Sequence, residues 1–318
     1  MSADLPERPG FRLFDGPNEP AWRTPQLGAL GALLAFWSLP RRSPALISLP
    51  TGTGKTAIGV AARHVLRPRR TLVVVPSTAL RQQTADIYSS EEVLRAISAL
   101  DSETRPTVRQ VRGQIDDWKD LEQDDVVIAI PASISPAHYE QNLPPKDLFD
   151  LIVVDEAHHS PARTWLAILE HFEAAKRILL TATPTRRDGK RVPGELIYHF
   201  PLRQALDEGI FKSVEPRILE IGPQEERVDI DSRLADETIR VLDEAAHSSS
   251  AALVRGSSVS RVRELAVLYE STSMPGVRGE FKSMKTMNAL SLESCSSASR
   301  SRRETSPRAA VVSSYSPG

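Results

Sequence analysis

Residues 50–56 decide the fold of this chain, and they read Pro50-Thr51-Gly52-Thr53-Gly54-Lys55-Thr56. An apolar run at 45–49 precedes them, and a run compatible with a helix follows at 57–66. Strand, glycine-rich turn and helix together are the context of a phosphate-binding loop. Glycines let the backbone wrap around an anion, and the N-terminus of the next helix presents N–H groups to the same charge. All seven residues are therefore predicted to bind a nucleotide, with Lys55 reaching the β- and γ-phosphates and Thr56 ligating Mg²⁺.

The loop departs from the strict phosphate-loop pattern at one position. That pattern begins with a glycine five residues before Gly54, where this chain has Leu49. A chance glycine-rich turn is the alternative interpretation. The strand-like and helix-like runs on either side make that alternative the weaker one.

The composition is that of a globular protein with room for two domains of ordinary size. The 318 residues are 40% hydrophobic and 25% charged, and a net charge of -1 neither indicates nor excludes nucleic acid. The longest apolar run, 27–39, is too short to span a bilayer, and the acidic residues Asp4 and Glu7 argue against a signal peptide. Cys295 is the single cysteine, which excludes an internal disulfide and a cysteine-cluster metal site. We expect a cytoplasmic protein with no membrane partner.

Four further apolar runs are typical of buried strands in a parallel sheet, at 71–75, 126–130, 151–154 and 177–180. The predicted fold class is therefore α/β, with a parallel sheet flanked by helices around the phosphate-binding loop. Open α/β sheets bind their ligands beyond the carboxyl ends of the strands. The polar residues that follow these runs are therefore the candidates for function.

Asp155 and Glu156 directly follow the run at 151–154. Phosphoryl chemistry needs two different carboxylates here: Asp155 is predicted to hold Mg²⁺ through water, and Glu156 to orient and deprotonate the attacking water. His158 is grouped with these catalytic residues, as a sensor of the nucleotide state. Neighbouring acidic and histidine side chains also suggest a separate metal site. That interpretation is the weaker one, because a phosphate-binding loop already accounts for the carboxylates.

Four motifs occur in a fixed order, each at the end of a predicted strand: P-T-G-T-G-K-T, V-V-P-S-T-A-L, D-E-A-H and L-T-A-T-P. Together they closely resemble the first RecA-like lobe of superfamily 2 helicases, the DEAD/DEAH-box group. The segment 181–214 is similar to bacterial type III restriction helicase subunits, and the resemblance covers roughly residues 21–270. It implies a RecA-like fold and a motor that hydrolyses ATP with Mg²⁺ to track along a nucleic-acid strand, with D-E-A-H favouring DNA. In this group a loop without the leading glycine is ordinary.

The resemblance also implies a contact with the base of the nucleotide. The pattern Arg-x-x-Gln before the loop resembles the adenine-sensing element of these helicases, so Arg23 and Gln26 are expected to bind adenine. A glutamine side chain carries both a donor and an acceptor for the edge of the base. Taken alone, Gln26 would read as an ordinary residue at the start of a helix.

The resemblance also implies roles for polar residues at the ends of two further predicted strands. Ser77, Thr78 and Arg81 are expected to touch the nucleic-acid backbone, and an ordinary strand-to-helix turn is the alternative. Thr181 and Thr183 are expected to hydrogen-bond to His158 and to couple the nucleotide state to movement of the lobes.

The predicted organisation has five segments: an irregular arm at 1–20, the first RecA-like domain at 21–205, a linker at 206–247, the start of a second RecA-like domain at 248–270, and a tail at 271–318. Serine accounts for 13 of the last 48 residues, and strand–helix alternation does not continue there. A disordered, RNA-binding Ser/Arg-rich tail is one hypothesis. A shifted reading frame beyond residue 270 is the one we favour, which makes the chain a truncated helicase.

Two functions follow as expectations. The first is an ATP-dependent DNA helicase or translocase whose partner is nucleic acid. A further protein is also expected as a partner, one that supplies a nuclease, a methyltransferase or the missing second lobe. The alternative is a module that binds nucleotide and nucleic acid with negligible hydrolysis, because the second lobe of these helicases supplies the arginine fingers. A different kind of phosphate-loop ATPase is disfavoured, since L-T-A-T-P after D-E-A-H has no role there.

Overall fold

The structure is a computed structural model. It describes residues 10–13, 21–139, 141–159, 163–184, 192–211, 217–220, 222, 224–244, 251–252, 254, 258–272 and 314–315. The chain divides into two compact units, residues 1–212 and residues 213–318.

The first unit is built on a sheet in which every strand runs parallel to its neighbours. Its seven described strands are β1 (Ala45–Ser48), β2 (Thr71–Val74), β3 (Val108–Gln110), β4 (Val126–Ala129), β5 (Leu151–Val154), β6 (Lys176–Thr181) and β7 (Glu195–His199). They lie in the order β3-β4-β2-β5-β6-β1-β7. The predicted α/β class with a parallel sheet is confirmed.

Seven described α-helices of the first unit precede, connect or follow these strands. They are α1 (Thr24–Trp37), α2 (Lys55–Leu66), α3 (Thr78–Ser90), α4 (Glu92–Arg95), α5 (Pro131–Ile134), α6 (Arg163–His171) and α7 (Leu202–Asp207). Within β2, Val73 packs into the cluster that contains α1 and α2 residues, whereas Leu72 and Val74 pack into the cluster that contains α6 residues. Because successive side chains of a strand point to opposite faces, the sheet is covered on both sides.

A buried ion pair joins α2 to the end of α3. Arg63 Nη1 lies 2.7 Å and His64 Nε2 2.8 Å from the same carboxylate oxygen, Glu91 Oε1. Burial raises the pKa of Glu91, but the hydrogen bonds and charges of His64 and Arg63 outweigh it and hold that pKa below its ordinary value. The pair therefore stabilises the folded state only while Glu91 is ionised.

Replacement of Glu91 by glutamine is expected to destabilise the first unit by roughly 3 kcal/mol at neutral pH, because it leaves the buried Arg63 guanidinium without a counter-charge. The pKa of Glu91 is lowered on folding, so the loss is full above the unfolded-state pKa of glutamate and shrinks as pH falls through the folded-state value. Urea unfolding at neutral and acidic pH measures it, with the exposed Glu103→Gln as control. A loss of the same size at both pH values would contradict this account.

The second unit has two helices and a short strand pair among its described residues. These are α8 (Arg227–Glu244), β8 (Ala251–Ala252), α9 (Val259–Thr272) and β9 (Ser314–Tyr315), with β8 and β9 antiparallel. Ala235 and Tyr269 pack between α8 and α9. The Thr238 and Tyr269 hydroxyls lie 3.0 Å apart, so the helix pair has its own small core.

The predicted segment boundaries stay predictions. Residues 10–13 of the arm are described, and Phe11 pairs with Leu100 in an isolated antiparallel bridge. The tail predicted at 271–318 lies outside the described residues, apart from 271–272 in α9 and 314–315 in β9. Among the described helices, none is long and apolar enough to cross a membrane.

Candidate active site

The glycine-rich loop lies between the end of β1 and the start of α2. Thr53 holds it in a tight turn, because the Thr53 hydroxyl and backbone N–H both donate to the Pro50 carbonyl, at 2.8 and 3.4 Å. The Leu49 N–H donates to the Thr181 carbonyl at 2.9 Å, which ties the start of the loop to the end of β6. The loop is thus anchored to the sheet at its first residue and to a helix at its last.

Two glycines give the loop a shape that other residues cannot adopt without strain. Gly52 has φ +92° and Gly54 has φ +93°. A Cβ atom on Gly54 would lie 2.2 Å from the Gln26 side-chain nitrogen. Gly54 therefore needs to be glycine both for its backbone conformation and for the close approach of Gln26.

Lys55 and Thr56 are the first two residues of α2. Lys55 is buried, with 7% of its surface exposed, and its Nζ donates to the Leu49 carbonyl at 3.3 Å. The N–H groups of a first helical turn have no acceptor within the helix, and the dipole end there is positive. A fixed cation, free N–H groups and a glycine turn are the donor set that suits the phosphates of a nucleotide.

The predicted base-binding pair, Arg23 and Gln26, lies against the same loop. Arg23 Nη1 donates to the Gly52 carbonyl at 2.9 Å, and the Arg23 N–H donates to Gln26 Oε1 at 3.0 Å. Gln26 is 7% exposed, with its amide against Gly54. Both residues reach the loop from the start of α1. The bond from the Arg23 N–H to Gln26 is also part of a capping box, an ordinary feature of a helix start, so the contact of this pair with a base stays a prediction.

Asp155 and Glu156 lie where β5 ends, next to the end of β6. The Glu156 N–H donates to Asp155 Oδ1 at 2.9 Å, and Glu156 has φ +51°, a conformation that costs energy for a residue with a Cβ. Burial, followed by the charge of Glu156, raises the pKa of Asp155, and the charges of Lys55 and His158 counter this in part. Two carboxylates and a buried lysine thus share one electrostatic environment.

His158 joins the acidic pair to the end of β6. Its Nδ1 lies 3.3 Å from Glu156 Oε2 and 3.4 Å from the Thr181 hydroxyl oxygen. The Thr181 hydroxyl in turn donates to the Thr183 carbonyl at 3.0 Å. Thr181 therefore contacts both His158 and Thr183, the three residues for which the sequence suggested a sensing or coupling role, and that role stays a prediction.

The residues predicted to touch nucleic acid follow β2, beside β5. Ser77 caps α3, since its hydroxyl oxygen accepts the Leu80 N–H at 3.3 Å, and Thr78 is exposed at the first helical position. Arg81 Nη1 donates to the Val111 carbonyl at 2.6 Å, so part of its guanidinium is already bound within the protein. These three contacts with nucleic acid stay predictions.

One residue at the loop was missed by the sequence reasoning. The ring of Phe211 lies against Gly52, and a Cβ atom there would be 2.9 Å from Phe211 Cε1. No local pattern marks Phe211, which follows α7 at a distance of about 160 residues from the loop. The contact between Phe211 and Gly52 is visible only in the folded structure.

Thr56, at the start of α2, and Asp155, at the end of β5, are the two side chains predicted to ligate Mg²⁺. Mg²⁺ keeps several waters and usually takes one or two carboxylates together with phosphate oxygens. Within the part of the chain that the structure describes, three or more histidine, cysteine or acidic side chains nowhere gather into a metal cluster. A hydroxyl and a carboxylate flanking a phosphate loop fit Mg²⁺ that arrives with a nucleotide.

Replacement of Asp155 by asparagine is expected to stabilise the nucleotide-free first unit by about 1 kcal/mol at neutral pH. Because the pKa of Asp155 is raised on folding, its ionised form destabilises the folded state above that pKa, and the penalty disappears as pH falls through it. Asparagine keeps an acceptor for the Glu156 N–H. Urea unfolding in EDTA measures the gain, and Asp116→Asn on the surface is the control. Equal or lower stability of D155N at neutral pH would contradict the expectation.

Comparison with known proteins gives a family and several partial relatives. The profile described as "Type III restriction enzyme, res subunit" matches residues 19–186, more than half of the chain. Candidate helicase 22 of Sulfolobus islandicus filamentous virus (isolate Iceland/Hveragerdi) is 30% identical over 155 residues, which are 46% of this chain and 25% of that protein. The DNA 3'-5' translocase XPB2 of Sulfurisphaera tokodaii is 28% identical over 172 residues, which are 52% of this chain and 34% of that protein. The chain therefore covers about a quarter to a third of these relatives.

Among solved structures, the chain is similar to a nuclease-deletion mutant of the Type ISP restriction-modification enzyme LlaGI, solved with a DNA substrate mimic. The identity is 20% and the TM-score 0.41, and the match covers 71% of this chain and 23% of that one.

Proposed function

We propose that this chain binds ATP with Mg²⁺ and hydrolyses it to move on nucleic acid, with DNA favoured over RNA. The chain belongs to the family of the type III restriction enzyme res subunit. The observation that carries the proposal is the meeting of three strand ends at one edge of the sheet. The glycine-rich loop follows β1, the acidic pair follows β5, and Thr181 ends β6. Carboxyl ends of parallel strands are where such sheets bind ligands.

Each residue of this edge has one task in the proposal. Lys55 and the N–H groups of residues 52–56 bind the phosphates, and Lys55 can exchange its bond to the Leu49 carbonyl for one to a phosphate oxygen. Thr56 and Asp155 are the side chains that hold Mg²⁺, which neutralises the charge of the phosphates when bound.

Glu156 is the group that orients and deprotonates the attacking water. Its backbone N–H donates to Asp155 Oδ1 at 2.9 Å, and its carboxylate oxygen Oε2 lies 3.3 Å from His158 Nδ1. Burial and the charge of Glu156 raise the pKa of Asp155, and a cation held beside Asp155 would favour its ionised form, so the proposal assigns Mg²⁺ to Asp155 and the role of base to Glu156.

A series of contacts runs from Glu156 through His158 to Thr181 and Thr183. In the proposal, these contacts make the conformation at the end of β6 depend on whether the γ-phosphate is bound or released. A change at Glu156 alters the charge beside His158 Nδ1, and that nitrogen lies 3.4 Å from the Thr181 hydroxyl. The proposal assigns to this chain of contacts the coupling of hydrolysis to movement.

DNA is favoured over RNA by the D-E-A-H motif and by one relative, whose name describes a DNA translocase. Ser77, Thr78 and Arg81 stand at the neighbouring strand end, where hydroxyl and guanidinium groups suit backbone phosphates. A protein partner that supplies a nuclease, a methyltransferase or a second lobe is part of the proposal, because the matched family is described as a subunit of a restriction enzyme.

Release of phosphate from Mg²⁺-ATP by the purified full chain tests the proposal, without nucleic acid and with single-stranded DNA, double-stranded DNA or RNA. We expect hydrolysis that rises several-fold with DNA and disappears in Lys55→Ala, which controls for contaminating ATPases. A rate of ATP hydrolysis that does not change when nucleic acid is added would contradict the proposed movement on nucleic acid.

The alternative function is a module that binds nucleotide and nucleic acid without hydrolysing ATP at a useful rate. It is favoured by the second unit, whose described residues form two helices and a two-residue strand pair. Retained ATP binding with no phosphate release on any nucleic acid would support this alternative.

A further inference from the structure

The ring of Phe211 contacts the tip of the glycine-rich loop. A Cβ atom built on Gly52 would lie 2.9 Å from Phe211 Cε1 and 3.5 Å from Cζ. Any larger side chain at position 52 would have to displace the ring. The aromatic side chain and the loop are therefore fitted to each other.

The backbone fixes the place of this ring. The N–H groups of Ile210 and Phe211 donate to the Ala205 carbonyl, at 2.9 and 3.3 Å. Ala205 itself is fully buried in the core that includes α1 and α2 residues. The segment that carries Phe211 is thus held on the same body as the loop.

Phe211 joins two polar side chains that reach the same loop from α1. Arg23 Nη1 donates to the carbonyl of Gly52, and Gly52 is also the residue that the Phe211 ring contacts. The Gln26 amide lies against Gly54, two residues further on. A guanidinium, an amide and an aromatic ring therefore contact residues 52–54 of the loop.

This combination of groups suits a nucleotide base better than it suits phosphate. The face of an aromatic ring carries partial negative charge, so it offers nothing to a phosphate group. Base–aromatic stacking, in contrast, contributes substantially to nucleotide binding, and guanidinium and amide groups supply polar contacts to a base.

We propose that Phe211 forms the apolar face of the base-binding site and raises the affinity for nucleotides over that for a bare phosphate chain. The proposal deepens the proposed function and rests on it. Arg23 and Gln26 supply the polar contacts of this site, and Phe211 supplies the stacking surface.

The experiment compares the affinities of ATP and of inorganic tripolyphosphate, both with Mg²⁺, by equilibrium binding to the full chain. The variants are Phe211→Ala, Phe211→Leu, which keeps apolar volume, and Phe211→Tyr, which keeps the ring. Leu202→Ala, an exposed residue of α7, is the matched control. The expected result is about tenfold weaker ATP binding in F211A and F211L, an unchanged affinity for tripolyphosphate, and near-normal ATP binding in F211Y.

Three outcomes would overturn the proposal. Equal weakening of both ligands in F211A and F211L would mean that the ring only supports the loop, and unchanged ATP binding in both would mean that it takes no part. ATP binding by F211L as tight as by F211Y would show that apolar volume suffices. A wild-type chain that fails to bind ATP would instead contradict the proposed function itself, so the two failures are distinguishable.

Discussion

Replacement of Glu156 by glutamine is expected to lower the rate of ATP hydrolysis by about 10²–10⁴-fold, the range for loss of a general base. The affinity for Mg²⁺-ATP is expected to stay within about threefold of the wild type, because the change removes no group that binds phosphate or metal. Glutamine has nearly the same shape and keeps an oxygen within reach of His158. Hydrolysis and equilibrium binding are measured on the same preparations.

The control for Glu156→Gln is Glu122→Gln, which removes a carboxylate from an exposed surface position. The control variant should hydrolyse ATP at the wild-type rate. Loss of ATP binding in E156Q, in step with hydrolysis, would count against the role of Glu156 as a base. The residue would then belong to the binding apparatus.

Replacement of Lys55 by alanine is expected to weaken binding of Mg²⁺-ATP by roughly 100-fold and to remove measurable hydrolysis, because no other cation is buried in the loop to contact the phosphates. Loss of its charge also leaves Asp155 with less compensation, so the pKa of Asp155 should rise further. Fluorescence titration with a labelled ATP analogue measures the affinity.

Lys119→Ala is the matched control for Lys55→Ala, since Lys119 is exposed and lies in the short 3₁₀-helix Trp118–Leu121. A circular-dichroism melt establishes that both variants fold. Wild-type affinity in K55A would place the phosphates elsewhere and would remove the basis of the assigned site.

The sheet was predictable because its central strands are buried on both faces. The runs that became β1, β2, β4, β5 and β6 are continuous and apolar, as strands between two helical layers must be. β7 (Glu195–His199) was missed. It lies at the edge of the sheet, its residues are only partly buried or exposed, and a register shift occurs where it pairs with β1. Its sequence therefore lacks the apolar continuity of a central strand.

The site was predictable to the extent that parallel strands share an edge. That rule places Lys55, Asp155, Glu156 and Thr181 together from their positions after apolar runs, and the structure agrees. The match to the type III restriction enzyme res subunit confirms the resemblance that the ordered motifs suggested.

Contacts between distant segments were not predictable. The bond from Arg23 to the Gly52 carbonyl, the packing of Phe211 on Gly52 and the bond from Arg81 to the Val111 carbonyl all depend on the chain path. No periodicity or motif encodes them. The Phe211 contact in particular joins the end of the first unit to a loop about 160 residues earlier in the sequence.

The most direct test of the central claim is a crystal structure of the full chain with Mg²⁺ and a non-hydrolysable ATP analogue. We predict the phosphates against residues 50–56, with Lys55 Nζ moved from the Leu49 carbonyl to a phosphate oxygen and Mg²⁺ between Thr56 and Asp155. An analogue bound elsewhere, with Lys55 still on the Leu49 carbonyl, would contradict the account.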